Sequence, residues 1–202
     1  MRKEMVSLAA EFAVASELCR RDIYAQLTLG HQKRTDLLIF SEHDELLRVE
    51  VKGKQGKSWP NCKGIYGHNV MLVLVDFAGK SESERPDLYI LTVEDWVEFV
   101  KGEIEKARAK GVRIELDERN VPVFLDQVKH GQPYKGMGVG PESIQHHKEK
   151  WEKIIQAVAG KSHPLYGLLS ASRPTIQICS RRAWYTKSCP MRMQPSPTTF
   201  VS

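Results

Sequence analysis

Glu50 and Lys52 are two charged residues, two positions apart, in the segment 46–52. Apolar and charged residues alternate along this segment, which predicts a β-strand with both charged side chains on one face. Asp36 opens a second predicted strand, 36–40, and the polar turn between the two segments predicts a β-hairpin. The hairpin would bring Asp36 close to Glu50. Two converging carboxylates supply the hard oxygen ligands that suit Mg²⁺ or Mn²⁺.

Attack by a metal-activated water is the chemistry that these side chains suit. Mg²⁺ keeps several waters and lowers the pKa of a bound water, so one of these waters is a candidate nucleophile. The compact charge of Lys52 could position that water or stabilise a phosphate oxygen in the transition state. Glu11, on a helix predicted over 3–21, could hold a metal-bound water or help to bind a second ion. A solvated strand face is the alternative interpretation, because exposed strands also carry Glu and Lys at this spacing.

The helix over 3–21 must position Glu11, and its apolar residues recur at three- and four-residue spacing. This stripe, which predicts the buried face of the helix, consists of Met5, Leu8, Phe12, Ala15 and Cys19. Glu11 lies beside the stripe, at the predicted buried edge. The segment 53–67, which follows Lys52, contains several glycines and lysines and predicts a loop.

The rest of the chain alternates further predicted strands with two predicted helices. Thr92 and Asp95 predict a capping box that starts the first helix, and Pro141 opens the second. His146 and His147 lie on the second helix without a partner at zinc-ligand spacing, so we expect them at the surface. The further strands are predicted at 24–29, 70–77, 87–91, 112–116 and 121–124. This order predicts an α/β sheet with helices on its faces.

The positive charge of the chain is concentrated near its C-terminal end. The 202 residues contain 30 Lys and Arg against 25 Asp and Glu, a formal net charge of +5. Residues 161–202 hold six of the basic residues and no acid, whereas residues 1–160 hold 24 basic and 25 acidic residues. We therefore predict a folded domain over 1–158 and a basic, acid-free tail over 159–202 that is disordered or loosely packed. A frameshifted end is the alternative explanation of the tail.

The sequence argues against a membrane-spanning or a secreted protein. No apolar run reaches the roughly 18 residues that a membrane helix needs, so we expect no membrane partner. The basic N-terminus meets Glu11 too early for the apolar region of a secretory leader, which favours a cytoplasmic protein with free thiols. The basic charge balance favours a nucleic-acid partner only weakly, because most of it belongs to the tail.

Three separate pieces of the sequence resemble the motif set of the PD-(D/E)xK nucleases: Glu11, Thr35–Asp36 and Glu50–Val51–Lys52. Within this restriction-endonuclease-like superfamily, the resemblance is closest to the Holliday-junction-resolvase-like branch and to uncharacterised bacterial members, and it covers residues 4–158. It implies a mixed central β-sheet flanked by helices, and hydrolysis of DNA phosphodiesters with Mg²⁺, for which Mn²⁺ can substitute. Two features depart from the pattern. Thr35 replaces the motif's proline, and the glycines and Pro60 argue against the helix expected between the third and fourth strands.

The resemblance also implies a role for each matching residue. Three would bind the metal: Asp36 and Glu50 through their carboxylates, and Val51 through its carbonyl. Three would be catalytic: Lys52 as the catalytic lysine, Glu11 as the helical acid, and Gln55 at a polar position that often follows the lysine.

Lysines in the loop after the predicted strand could contact DNA phosphates near this site. They are Lys54, Lys57 and Lys63. A solvated loop is the alternative, since clusters of charge are usually exposed to water.

We therefore expect a Mg²⁺-dependent DNA endonuclease that hydrolyses phosphodiester bonds, with structured or branched DNA among its candidate substrates. The resemblance further implies a homodimer. Two other functions remain alternatives. A non-catalytic nucleic-acid-binding module would bind DNA in a salt-sensitive way without turnover, and a subunit of a restriction, repair or defence complex would be inactive alone.

Overall fold

A computed structural model describes residues 1–28, 35–41, 45–129 and 131–159. The tail predicted over 159–202 lies outside the described residues from position 160 onward. The helical elements are α1 (Lys3–Cys19), α2 (Val93–Arg108), a 3₁₀ helix (Pro141–His147) and α3 (Glu152–Ala159). The strands are β1 (Ala25–Leu27), β2 (Leu37–Phe40), β3 (Leu46–Lys54), β4 (Trp59–Cys62), β5 (Val70–Asp76), β6 (Asp87–Leu91), β7 (Ile114–Leu116), β8 (Pro122–Lys129), β9 (Gln132–Lys135) and β10 (Met137–Val139). In these ranges no helix combines the length and the apolar character needed to cross a membrane.

Five strands form a mixed central sheet in the order β1-β2-β3-β5-β6. The predicted hairpin of β2 and β3 is confirmed, with Leu37 opposite Val49. β3 and β5 are parallel, whereas the neighbouring pairs on either side are antiparallel. The predicted α/β class with a mixed central sheet is therefore confirmed.

Two hydrophobic cores cover the two faces of this sheet. α1 and α3 pack on one face, where Val49, Val51 and Val73 contribute strand side chains. α2 and the small sheet of β4 and β10 pack on the other face. Every residue of β5 is buried, as its continuous apolar run predicts for a strand covered on both sides. Helices therefore occupy both faces, which makes a three-layer α/β/α arrangement.

α1 packs on the sheet with a different face from the one that we predicted. Its buried apolar side chains, spaced four residues apart, are Val6, Ala10, Val14 and Leu18. The predicted stripe is largely exposed, and Phe12 has 55% of its surface in solvent. At Gly53 of β3 an added Cβ would lie only 2.7 Å from the Val6 carbonyl oxygen and 2.9 Å from the Ala10 Cβ. This close approach selects the face with small side chains. The spacing of apolar residues alone could not identify the buried face, because α1 carries apolar side chains on both sides.

The connection from β3 to the parallel strand β5 contains a strand where the superfamily pattern implies a helix. Residues 55–69 hold β4 and no α-helix. The argument from the glycines and Pro60 against a helix here is therefore confirmed. The loop predicted over 53–67 is partly wrong, because β4 lies within it. β4 pairs antiparallel with β10, with Met137 opposite Cys62. The buried Trp59 donates a hydrogen bond from Nε1 to the Val75 carbonyl oxygen at 3.2 Å. This bond holds the small sheet against β5.

A third sheet has the order β7-β8-β9. The two short β segments predicted at 112–116 and 121–124 correspond to β7 and the start of β8. The structure extends the second strand to Lys129 and adds β9, which turns back beside it. The hairpin of β8 and β9 leads directly into β10, next to the central sheet.

The helix predicted to open at Pro141 is interrupted. Pro141–His147 is a 3₁₀ helix and α3 begins only at Glu152. Between them, Lys148 forms a β-bridge to β6 and the N–H of Glu149 donates to the Leu88 carbonyl oxygen at 2.8 Å. The chain leaves the helical path because it pairs here with the edge of the central sheet.

The expectation that His147 lies at the surface was wrong, although His146 is exposed. The His147 side chain is buried, and its Nδ1 lies 2.8 Å from the Lys153 ammonium, which also donates to Asp95 at 2.6 Å. Burial, and then the positive charge of Lys153, lower the pKa of His147 to about 4 from its ordinary 6.5. The neutral imidazole therefore accepts the hydrogen bond from Lys153.

Acidification should destabilise the protein through His147. Between pH 6.5 and about 4 the unfolded histidine is protonated and the folded one is neutral, so unfolding takes up a proton. The free energy of unfolding should therefore fall as the pH drops through this window, by up to about 3 kcal/mol. Urea titrations across the window measure the slope. His147→Gln, which does not titrate, should flatten it, and the exposed His146→Gln is the matched control. An equal slope in both variants would contradict this prediction.

Candidate metal and catalytic site

Asp36 lies one residue before β2 and is fixed against β3. Its N–H donates to the Val49 carbonyl oxygen at 3.0 Å, and its Oδ2 accepts from the Val51 N–H at 2.6 Å. Because Leu37 lies opposite Val49 in the antiparallel register, Asp36 lies level with Glu50. The hairpin therefore brings together the two carboxylate residues that the sequence predicted as metal ligands.

Glu50 and Lys52 project from the same face of β3. Their neighbours Val49 and Val51 are buried in the core beneath α1, so strand alternation directs Glu50 and Lys52 to the opposite face. Both are only partly buried, which leaves them accessible to a ligand. The positive charge of Lys52 lowers the pKa of Asp36, so the lysine lies within electrostatic reach of the carboxylate.

Burial disfavours the charged forms of two carboxyl groups at this site, and repulsion by Asp36 adds to this effect at Glu11. Burial raises the pKa of Asp36 above its ordinary value, although the hydrogen bond from Val51 and the charge of Lys52 act in the opposite direction. The pKa of Glu11 is also raised, first by burial and then by the negative charge of Asp36. α1 therefore brings Glu11 within electrostatic reach of Asp36, as a shared site requires. An added cation would relieve this repulsion.

The donor set suits a hard divalent cation. Asp36 and Glu50 offer carboxylate oxygens, and Val51, whose N–H already bonds Asp36, offers a backbone carbonyl. The described parts of the chain contain no group of three or more His, Cys, Asp or Glu side chains placed to hold a metal. Mg²⁺ does not require one, because it commonly binds through one or two carboxylates and keeps its remaining waters. The residues present therefore fit Mg²⁺ or Mn²⁺ better than a zinc site.

The other predicted site residues fall into exposed and buried positions. Gln55, Lys57 and Lys63 are exposed, which is the condition for contact with a nucleic acid. The Gln55 Oε1 atom accepts a hydrogen bond from the N-terminal ammonium of Met1 at 2.9 Å. Gln55 therefore lies where the start of α1 meets the end of β3.

The structure corrects the DNA-contacting role predicted for Lys54, because the ammonium of this residue lies in the protein interior. It forms an ion pair with Asp76 at 2.6 Å, with only 3% of the Lys54 side chain exposed. It also donates to the Gly56 carbonyl oxygen at 3.0 Å and lies 4.7 Å from the centre of the Trp59 ring. A buried and paired cation cannot reach a phosphate in this conformation, so the role that we predicted for Lys54 in DNA binding does not fit the structure.

Replacing Lys54 should therefore affect stability and leave DNA binding unchanged. Lys54→Met keeps the aliphatic packing on Trp59 but leaves the Asp76 carboxylate buried without its cation, which should cost about 3 kcal/mol of unfolding free energy. Urea denaturation measures this loss. Adding Asp76→Asn should recover part of it, and Lys57→Met at an exposed lysine is the matched control. Undiminished stability in Lys54→Met would show that the ion pair is not needed.

Cys62 is a neighbour of the site that the sequence did not indicate. Burial raises the pKa of its thiol to about 11, and the charge of Lys52 opposes this shift, so the thiol lies within electrostatic reach of the lysine. It is neutral near neutral pH and contacts the Trp59 carbonyl oxygen at 3.6 Å. A free cysteine within a predicted loop gave no signal of this placement. Cys62 comes near the candidate site because it lies on β4, a strand that the sequence analysis missed.

Comparison with known proteins gives one distant structural likeness. No known protein-family profile matches this sequence, and no curated protein sequence matches it. Among solved structures, the chain is similar to a bacterial homing endonuclease, I-Ssp6803I, at 15% sequence identity and a TM-score of 0.38. The match covers 76% of this chain and 92% of that one. At this identity and TM-score the likeness assigns neither a fold family nor an activity to the chain.

Proposed function

We propose that this protein is a divalent-metal-dependent nuclease with a restriction-endonuclease-like core, and that it hydrolyses phosphodiester bonds in DNA. One observation carries the proposal: the Asp36 carboxylate is bonded to the backbone of β3 beside Lys52, level with Glu50, and within electrostatic reach of Glu11. These are the residues that match the PD-(D/E)xK motif set. Their positions on a hairpin and an adjoining helix support the proposal.

Each residue has a role that follows from its chemistry. Asp36 and Glu50 would hold the cation, with the Val51 carbonyl as a further ligand. When bound, the cation would supply Lewis-acid chemistry at the scissile phosphate. Lys52 would donate from its ammonium to a phosphate oxygen on which negative charge grows in the transition state. Glu11 would accept a hydrogen bond from a water and orient it.

The substrate would approach from the exposed side of the loop after β3. Lys57 and Lys63 would contact phosphates as point charges, which position a nucleic acid without selecting a sequence. Linear, nicked and branched DNA are the substrates to compare, because the motif resemblance is closest to the Holliday-junction-resolvase-like branch.

A cleavage assay tests the proposal directly. The purified chain is incubated with Mg²⁺ or Mn²⁺ and a panel of linear, nicked and branched DNA, and products are resolved on denaturing gels. We expect metal-dependent strand cleavage that EDTA stops. Salt-sensitive binding without turnover would instead indicate a non-catalytic module. Activity that appears only after adding a partner protein would indicate a subunit of a larger complex.

Metal binding should stabilise the folded protein through the same carboxylates. At a free Mn²⁺ concentration about 100-fold above the dissociation constant, the gain should be about 2.7 kcal/mol, seen as a rise in Tm by differential scanning fluorimetry. Asp36→Asn should abolish this rise. A rise in Tm with Mn²⁺ that persists in Asp36→Asn would place the metal elsewhere.

Without metal, Glu11→Gln should itself raise Tm. The raised pKa of the Glu11 carboxyl means that its ionisation near neutral pH costs folding free energy, and the glutamine side chain does not ionise.

A further inference from the structure

Asp36 interrupts the regular pairing between the strands on either side of it. In a regular antiparallel strand, the N–H and the carbonyl of one residue bond to the same neighbouring strand. The Asp36 carbonyl oxygen accepts from the N–H of Thr28, the residue that follows β1, at 3.0 Å, whereas the Asp36 N–H donates to Val49 on β3. The backbone is therefore rotated at Asp36, as it is in a β-bulge.

This rotation changes the acceptor that the Val51 N–H meets. Leu37 lies opposite Val49 in the register of β2 and β3. Continuing this register would place Thr35 opposite Val51, and a regular ladder would pair the Val51 N–H with the Thr35 carbonyl oxygen. In the structure, the Oδ2 atom of Asp36 accepts from this N–H instead, at 2.6 Å. The carboxylate has therefore taken the place of a backbone carbonyl.

The displaced Thr35 carbonyl oxygen accepts a hydrogen bond from the hydroxyl group of Thr28. The Thr28 Oγ1 atom donates to it at 2.5 Å and also lies 3.3 Å from the Asp36 carbonyl oxygen. These two carbonyl groups flank the Cα atom of Asp36. The bond from Thr28 holds the Thr35 carbonyl on the β1 side, away from β3, and this leaves the Val51 N–H to the carboxylate.

We propose that Thr28 is a positioning residue for the candidate metal site. Its hydroxyl group holds the Thr35 carbonyl away from β3, so that the Asp36 carboxylate is fixed by the Val51 N–H and faces the cation. This inference rests on the proposed function, because it concerns a residue that would hold the metal. Groups that orient a metal-binding side chain commonly change metal affinity by about 10- to 100-fold when they are removed.

Two measurements on the full-length chain test the inference, and the first needs neither metal nor DNA. Nuclear magnetic resonance detects the coupling between an amide nitrogen and the carbon atom of its hydrogen-bond acceptor, so it identifies the acceptor of the Val51 N–H. Calorimetry measures the dissociation constant for Mn²⁺. Thr28→Val and Thr28→Ala remove the hydroxyl group, and Thr28→Ser retains it. Ser41→Ala is the matched control, because the Ser41 hydroxyl accepts from the Glu45 N–H at 3.0 Å at the other end of the β2–β3 hairpin.

In the unsubstituted chain, in Thr28→Ser and in Ser41→Ala, we expect the Val51 nitrogen to couple to the side-chain carboxylate carbon of Asp36. Thr28→Val and Thr28→Ala should lose this coupling, and their dissociation constants for Mn²⁺ should rise about tenfold. Thr28→Ser and Ser41→Ala should keep the Mn²⁺ affinity of the unsubstituted chain. Circular dichroism melting checks that each variant is folded.

The inference would be overturned if Thr28→Val and Thr28→Ala kept the coupling to Asp36 and the affinity for Mn²⁺. Failure of Thr28→Ser to retain them, or an equal loss in Ser41→Ala, would also overturn it, because the Thr28 hydroxyl would then not be the cause. Failure of the nuclease function is distinguishable. It appears as no cleavage by the unsubstituted chain even where the Thr28 hydroxyl determines the acceptor of the Val51 N–H and the affinity for Mn²⁺.

Discussion

Replacing Lys52 with alanine is expected to lower the rate of DNA cleavage at least about 100-fold, because one preorganised donor to transition-state charge is commonly worth this much. The ammonium would stabilise charge that develops on the phosphate, so the loss should fall on kcat and leave DNA affinity nearly unchanged. Lys52 is only partly buried on its strand, and the substitution should leave the fold intact. Single-turnover cleavage with saturating enzyme isolates the chemical step.

The two carboxylates should respond differently from the lysine. Asp36→Asn can retain the hydrogen bond that the Val51 N–H now donates at 2.6 Å, but it removes the charge that would hold the cation. Glu50→Gln should act in the same way. Both should abolish cleavage together with Mn²⁺ binding, measured by calorimetry, whereas Lys52→Ala should slow cleavage and keep the metal. This separation identifies the role of each residue.

A matched control lies on the same strand. Arg48 is a cation on the same face of β3, lies opposite Leu38, and is on the other side of Glu50 from Lys52, so Arg48→Ala removes the same type of charge from the same strand without touching the motif residues. It should cleave within a few-fold of the unsubstituted chain. Lys52→Arg tests geometry, because a guanidinium replaces a compact ammonium. Full activity in both Lys52→Ala and Glu50→Gln would remove the catalytic assignment.

Strand pairing was predictable where local pattern and turn chemistry agreed. The β2–β3 hairpin was predicted from the alternation in 46–52 and from the acid that opens the preceding strand. The start of α2 was predicted from the capping box at Thr92 and Asp95, where both reciprocal hydrogen bonds are present. The continuous apolar run at 70–77 gave the strand that is buried on both faces. In each case, residues close in sequence determine the structure.

Features that depend on distant residues were not predictable in the same way. The buried face of α1 is selected by Gly53, far along the chain, where the helix and β3 approach closely. The role of Lys54 depends on Asp76, its partner across the parallel pair β3 and β5. We predicted Lys54 in a loop after the strand, whereas β3 continues to Lys54 and the ring of Trp59 lies over its ammonium. The motif residues were easier to identify, because the hairpin and one helix position them.

Gly64→Ala is expected to cost about 4 kcal/mol or more of unfolding free energy, the largest stability effect at any glycine of the described chain. A Cβ at Gly64 would lie 1.8 Å from Cε2 of Trp96, inside the indole ring. Trp96 is fully buried and its Nε1 donates to the Asn120 carbonyl oxygen at 3.3 Å, so the ring cannot move without breaking its packing. The backbone at Gly64 also has a φ of +68°, which an alanine adopts only with strain.

The steric and conformational parts of this cost can be separated with Gly79. Gly79 has a φ of +72° and nothing within 4 Å of an added Cβ, so Gly79→Ala should cost only about 1 kcal/mol, from backbone strain. Urea denaturation of both variants gives the difference, which measures the overlap with Trp96. Adding Trp96→Leu should reduce the cost of Gly64→Ala, because it removes the ring that the new methyl group strikes. Equal losses for the two glycine variants would show that Trp96 does not require a bare backbone at Gly64.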